Sequence, residues 1–149
     1  MHLSGTTVML GLMGTPVEHS KSPAMYNHCF AKYGLDWAYL AFSVTQEQAG
    51  AAVQAIRTLN MRGANVTMPC KSAVIPYLDK LSPEAQAIGA VNVIVNDGGV
   101  LTGYNTDGMG YTQNLRRSGV EVKGRRIVLL GGGGAASAIA GQAALEGAA

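Results

Sequence analysis

Asn65-Val66-Thr67-Met68-Pro69-Cys70-Lys71 is the stretch on which the reading of the fold turns. Arg62–Thr67 reads as a strand, and Pro69, which has no N–H to give to a sheet ladder, closes it. Lys71 therefore falls in a loop just past a strand end. Asn105-Thr106-Asp107-Gly108 follows the strand-like run Val100–Tyr104 in the same way. One cluster supplies a cation and the other an anion, both where strands feed into helices. In an α/β protein, that edge of the sheet is where ligands bind.

Working outward, Thr7–Met13 is a short apolar run ended by Gly14-Thr15-Pro16 and reads as a buried strand. Ser22-Pro23 has the form of an N-cap followed by proline at the first helical position. Met25, Cys29, Phe30 and Tyr33 make one apolar helix face, and Gly34 ends the helix. Trp37–Val44 is a second strand. Thr45 with Gln48 fits a capping box, opening a helix with Ala49, Ala52, Val53, Ile56 and Leu59 on one face. Lys71–Leu81 and Ser82–Gly89 read as two further helices. Val91–Val95 and Val100–Tyr104 read as a hairpin turned by Asn96-Asp97-Gly98-Gly99. Gly108–Ser118 is a helix. Arg126–Leu130 reads as another buried strand, followed by the glycine run and a small-residue helix.

Alternating strands and helices predict an α/β fold: a mostly parallel sheet with helices on both faces, and one antiparallel strand supplied by the hairpin. The polar, glycine-bounded segment Gly119–Arg125 marks a boundary. The first domain spans residues 1–119 and a second begins at 120–149.

Composition narrows the function. The chain has 149 residues, 48% of them hydrophobic and 13% charged, which is a globular balance. The net charge of +2 comes without a basic stripe, so nucleic acid is disfavoured as a partner. Val8–Met13 is too short for a signal or a membrane span. Two cysteines do not make a disulfide framework, and a reducing, cytoplasmic setting is the default. His2, His19 and His28 show no metal-ligand spacing. Cys29 reads as a small hydrophobe. Cys70 lacks a histidine partner that would make it a nucleophile.

Gly131, Gly132, Gly133 and Gly134, with Ala135, lie between strand and helix as a dinucleotide loop requires. Glycines let the backbone approach a pyrophosphate, and the helix N-terminus supplies N–H groups. The third glycine of the strict pattern falls at Ala136, a tolerated variant. The residue that reads the ribose, about 20 positions further on, would fall beyond Ala149. The expectation is a C-terminally truncated piece that shows no turnover by itself. Taken singly, Lys71 reads as a solvated surface lysine, and Asp107 and Ser22 as N-caps. A hydroxyl such as that of Ser22 can nonetheless accept from the backbone and donate to a ligand carboxylate.

Five segments together resemble the shikimate dehydrogenase family, most closely its quinate/shikimate branch. They are Gly14-x-Pro16-x-x-His19-Ser20-x-Ser22-Pro23, Asn65-Val66-Thr67-x-Pro69-x-Lys71, Gly89-Ala90-Val91-Asn92, Gly103-Tyr104-Asn105-Thr106-Asp107-Gly108 and Gly131-x-Gly133-Gly134-Ala135. The resemblance implies a substrate-binding domain followed by the first strand, loop and helix of a Rossmann domain. It implies Lys71 and Asp107 as the catalytic pair, and Ser20, Ser22, Thr67, Asn92, Lys71 and Asp107 as substrate ligands. The implied cofactor is NAD or NADP, bound at the glycine loop, and the implied substrate is shikimate or quinate. A homodimer is compatible with it. The implied reaction is oxidation of a ring secondary alcohol, in the pathway to chorismate and the aromatic amino acids. A free lysine is overwhelmingly protonated at neutral pH; burial favours the amine and a nearby carboxylate the ammonium. The expectation is an ammonium that stabilises alkoxide, with a free-base lysine as the rival. A non-catalytic module that binds quinate or shikimate stays open. A folate-directed dehydrogenase of the same plan fits less well, because the serine pair and Asn-Thr-Asp-Gly suit a polyhydroxy acid.

Overall fold

The computed structural model describes residues 3–149, so His2 lies outside the described residues. The elements are β1 (Val8–Gly14), α1 (Ser22–Lys32), β2 (Trp37–Ser43), α2 (Ala49–Thr58), β3 (Gly63–Val66), β4 (Lys80–Leu81), α3 (Pro83–Ile88), β5 (Val93–Asp97), β6 (Val100–Tyr104), α4 (Asp107–Arg117) and α5 (Gly134–Leu145). The six strands form one sheet in the order β2-β1-β3-β5-β6-β4. β1 lies parallel to β2 and β3, β4 is parallel to β6, and β5 runs antiparallel to both of its neighbours. The hairpin thus supplies the reversed strand expected of it. Its turn works because Gly98 and Gly99 both take positive φ, 61° and 94°, while Asp97 faces Val100 across the closing pair.

The pleat sends alternate residues to opposite faces. On one face Met13, Val53, Ile56, Ala64, Ile94 and Leu101 form the larger core under α2. On the other, Leu12, Phe30 and Tyr39 form a smaller one under α1, with Tyr26 and Trp37 packed against it. The buried stripe of α1 is therefore set by Tyr26 and Phe30, one turn apart. The stripe read from the sequence is displaced: Met25 and Tyr33 are 55% and 72% exposed. In α2, Ala49, Val53 and Ile56 are buried as expected, while Leu59, past the helix end, is exposed.

Four further expectations give way to local chemistry. Lys71–Leu81 is not a helix but a series of turns with one 3₁₀ turn at Ile75–Tyr77, leading into β4. Pro76 is the reason, since its ring and missing N–H exclude it from a helix interior. Ser22 and Asp107 are the first residues of their helices rather than caps, and neither Lys21 nor Thr106 caps through its side chain. Only the returning half of the Thr45–Gln48 box forms, with Thr45 N–H donating to Gln48 Oε1 at 3.0 Å. Ser82 does cap α3, accepting from Ala85 N–H at 3.2 Å, and Gly89 ends it in the left-handed region.

The last correction concerns Arg126–Leu130. Among the described residues it pairs with no strand, and Val128 and Leu130 are 84% and 98% exposed. The helix after it is nonetheless held. A Cβ on Gly108 of α4 would lie 2.3 Å from Ala138 O of α5, so the two helices close at that glycine. Glu146, just past α5, accepts from Thr112 Oγ1 at 2.8 Å and from the Arg116 guanidinium at 2.5 Å. Gly124 N–H donates to Gly147 O at 2.7 Å, and Ala149 N–H to Arg125 O at 2.9 Å. No described helix is long and apolar enough to cross a membrane.

Candidate active site

Strand ends and turns bring the polar groups to one edge of the sheet. Lys71 follows β3, and its carbonyl accepts from Val91 N–H at 2.8 Å, which ties the Lys71 turn to the segment before β5. Asp107 opens α4, where a carboxylate is favoured by the positive end of the helix dipole. Its backbone N–H donates to Asn105 Oδ1 at 3.1 Å. Asn105 is only 2% exposed, and its amide donates to Ala90 O at 3.0 Å. A buried asparagine therefore fixes the turn that aims Asp107.

Lys71 Nζ donates to Asp107 Oδ2 at 2.5 Å. The two side chains are 31% and 35% exposed, so each is shielded yet open on one side. Asn92 Nδ2 donates to the other carboxylate oxygen, Oδ1, at 2.8 Å and to Thr106 Oγ1 at 3.0 Å. Asn92 Oδ1 accepts Thr106 N–H at 2.9 Å. The carboxylate is thus held on both oxygens, one by a cation and one by an amide.

This pair opens into a cavity of about 270 Å³ whose walls include Met68, Lys71, Asn105, Asp107, Gly134 and Ser137. The first turn of α5 therefore faces the ionic pair across the same space. Gly131 has a φ of 122°, and a Cβ built on any of Gly131, Gly132, Gly133 or Gly134 meets no atom within 4 Å. No side chain caps α5. An open glycine loop leading to uncapped helix N–H groups fits a pyrophosphate, so the residues present suit a dinucleotide. A larger cavity of about 450 Å³ lies between α4 and Arg125–Val128, and it contains neither Lys71 nor Asp107.

Ser20 and Ser22 follow β1, and Thr67 follows β3, at the strand ends of the same sheet. Ser20 Oγ accepts from Ser22 N–H at 3.2 Å. Thr67 N–H donates to Met13 O at 2.8 Å, and its methyl lies so close to Gly14 that a Cβ there would come within 2.4 Å. Lys71, Asn92 and Asp107 form one hydrogen-bonded set and the two serines another. Among the described residues no hydrogen bond joins the two. Thr67 stands between them in sequence and bonds to neither.

Three residues near the site escaped the sequence reading: Asn65, Asn105 and Tyr39. The two asparagines lie inside motifs already singled out, and their polar side chains at strand ends were the available signal. Tyr39 gave none, since an aromatic in an apolar strand reads as core. Its hydroxyl donates to Asn65 Oδ1 at 2.7 Å. Burial, followed by neighbouring Tyr26, pushes its phenol far above the usual range, while the adjacent Ser22 hydroxyl pulls it back. Cys70 is fully buried, with its thiol directed at Val44 O and Thr45 O at 3.3 and 3.5 Å. Burial, with the Glu47 charge adding, pushes the thiol up and keeps it protonated, the opposite of what a nucleophile needs.

A mixed sheet with a half-buried lysine–carboxylate pair at its edge, facing a glycine loop across a small cavity, defines an α/β small-molecule-binding protein. Comparison with known proteins gives the family. Residues 12–94 match the model of the shikimate dehydrogenase substrate binding domain, and the chain belongs to that family. It is 54% identical over 148 residues to shikimate dehydrogenase (NADP(+)) of Streptococcus uberis, covering 98% of this chain and 50% of the relative. It is 51% identical over 145 residues to the enzyme of the same name from Listeria monocytogenes, again covering 97% of this chain and 50% of the relative. The crystal structure of Listeria monocytogenes shikimate 5-dehydrogenase in complex with shikimate and NAD superposes with a TM-score of 0.94 at 50% identity. That match covers 99% of this chain and 51% of the other. The chain thus spans about half the length of the curated relatives it matches.

Proposed function

We propose that this chain forms the substrate-binding half of an NAD(P)-dependent oxidoreductase that interconverts shikimate and 3-dehydroshikimate, with quinate as the second candidate substrate. The observation that carries the reading is the 2.5 Å contact between Lys71 Nζ and Asp107 Oδ2, on a cavity shared with the glycine loop. We take residues 1–119 as the substrate domain and 120–149 as the start of the nucleotide domain. The free cysteines suit a cytoplasmic enzyme.

Gly131–Gly134 and Ala135 would hold the dinucleotide, which would supply the hydride acceptor when bound. The chain's own residues handle the proton and the orientation. Lys71 donates a hydrogen bond to the carbinol oxygen and stabilises the negative charge that develops there as the hydroxyl proton passes to solvent at the open side of the Lys71–Asp107 pair. Asp107 holds the ammonium in place through Oδ2 and is itself fixed through Oδ1 by Asn92. Ser20, Ser22 and Thr67 present hydroxyls to the carboxylate and ring hydroxyls of the substrate. For Asn92 to take a ring hydroxyl it must exchange its bond to Thr106, because its amide is fully engaged.

Calorimetric titration of the chain with shikimate tests the binding half of the proposal. Saturable binding is expected, with a marked loss in Lys71→Met. A folded chain that takes up neither shikimate nor quinate overturns the reading. Turnover is tested in a fusion of residues 1–149 to the C-terminal half of the Streptococcus uberis enzyme. Lys71→Met in that fusion is expected to lower kcat by about 10²–10⁴-fold, the usual worth of a positioned proton-handling group. Lys71→Arg separates the two roles of the lysine. An arginine cannot act as a free base at these pH values, so substantial retained activity with an unmoved basic limb marks the cation as the working species.

A further inference from the structure

The sheet face under α1 holds one buried polar contact that neither the ionic pair nor the glycine loop explains. Tyr39 is 1% exposed, in β2, a strand that contributes no residue to the proposed substrate set. Its position is fixed from three directions. Asn27 of α1 brackets its backbone, donating to Tyr39 O and accepting from Tyr39 N–H, each at 2.9 Å. Its ring stacks on Tyr26 at 4.5 Å and an interplanar angle of 12°. Its hydroxyl reaches past β1 to Asn65 of β3, where it donates to Oδ1 at 2.7 Å. Ser22, one of the proposed carboxylate-holding residues, lies beside the same hydroxyl.

An asparagine amide can sit in either of two flips, presenting an acceptor or two donors. In the arrangement seen here the phenol donates to Oδ1, which commits that oxygen inward and turns Nδ2 away. Among the described residues no group takes the Nδ2 hydrogens of Asn65, and that nitrogen is not among the buried atoms left without a partner, so it keeps solvent access; the side chain lines a cavity of about 290 Å³ with Tyr26 and Tyr39. Asn65 lies two residues before Thr67, at the strand end that the site occupies.

We propose that Tyr39 is a positioning residue for substrate: by donating to Asn65 Oδ1 it locks the Asn65 amide with its N–H groups turned toward the carboxylate and hydroxyls of the bound polyol. It acts without touching the ligand, and it rests on the shikimate-binding reading given above. The polar contact also explains why an otherwise apolar strand carries tyrosine rather than phenylalanine at this position. Phenylalanine would keep the Tyr26 stack and lose the lock together with the contact to the Ser22 hydroxyl.

The test is shikimate binding by the full 149-residue chain, measured calorimetrically for the unsubstituted protein, Tyr39→Phe, Asn65→Ala and the double variant. Each single change is expected to weaken shikimate binding about tenfold, the scale of one buried hydrogen bond. The double variant is expected to be no weaker than Asn65→Ala, since Tyr39 acts only through that residue. A merely structural role would persist in the Asn65→Ala background and give about a hundredfold combined loss, which overturns the proposal. An unchanged affinity in Tyr39→Phe also overturns it. A second readout is the Asn65 side-chain NH₂ resonance pair, expected to shift when shikimate is added to the unsubstituted chain. No shift there excludes the amide from the binding site and overturns the proposal even where Tyr39→Phe folds poorly. Failure of the unsubstituted, folded chain to bind shikimate is a different result, one that removes the functional reading and this inference with it.

Discussion

Val8–Gly14 and Ile127–Leu130 are both short apolar runs that lead into glycine, and only the first is part of a sheet. β1 lies inside the sheet, hydrogen-bonded along β2 on one side and β3 on the other. Leu12 and Met13 are consequently buried on opposite faces, at 7% and 3% exposure. Ile127–Leu130 has the same chemistry but no ladder on either side among the described residues, and Leu130 stands almost fully in solvent. An apolar run becomes a buried strand only where neighbours supply hydrogen bonds and cover. The two regions also differ in how they are held. The sheet rests on two apolar clusters, whereas α5 is fastened to α4 by a close glycine contact and Glu146, and the residues after it to Gly124 and Arg125 by two backbone bonds.

That contrast can be broken by substitution. Ile56→Ala, at 0% exposure in the larger core, is expected to cost roughly 2–5 kcal/mol of unfolding free energy, measured by urea denaturation. A loss below about 1 kcal/mol would mean that the α2 face does not hold the sheet. Gly108→Ala drives a methyl into the Ala138 carbonyl and is expected to cost about 1–3 kcal/mol. The loss should be concentrated in hydrogen-exchange protection of α5, leaving β1 and β3 protected; uniform loss would make the two regions one cooperative unit.

A smaller effect is expected from pH. Burial works to raise the Glu146 carboxyl, but hydrogen bonds from Gln142 and Thr112 and the Arg116 guanidinium outweigh it and hold it below the ordinary glutamate range. A carboxyl lowered in the folded state stabilises above its unfolded pKa, and that contribution is lost as pH falls through the folded value. Protection of α5 should therefore weaken below about pH 4.5, close to the free glutamate value, and Glu146→Gln should flatten this dependence. An unchanged acid limb in the variant would place the sensitivity elsewhere, with Asp79 next: its carboxyl is lowered by the Leu101 N–H and by Arg57. The smallest change is expected at Leu130→Ala, within about 0.5 kcal/mol of the unsubstituted chain because its side chain is already solvated. A larger loss would show that Ile127–Leu130 is packed in solution.

The residues of the candidate site were in large part legible before the fold. Lys71, Asp107 and Asn92 fall in motifs whose order along the chain could be read, and the structure joins them by direct hydrogen bonds. Their local roles were not legible. Ser22 and Asp107 read as caps because a hydroxyl or carboxylate before a helix usually is one, yet here each is the first helical residue and their side chains face other partners. Lys71–Leu81 read as a helix, but Pro76 ends any such helix and the segment forms turns.

By itself the sequence determined the alternation of strands and helices, the reversed hairpin strand with its Gly98-Gly99 turn, and the polar residues that follow each strand. These depend on period, glycine and proline, which act over a few residues. Only the tertiary structure decided that Tyr39 reaches Asn65, that buried Asn105 aims Asp107, that α1 turns Tyr26 and Phe30 inward, and that Ile127–Leu130 lies unpaired. Each of those outcomes depends on a partner far away in sequence, and hydrogen bonds and burial are properties of pairs rather than of either residue alone.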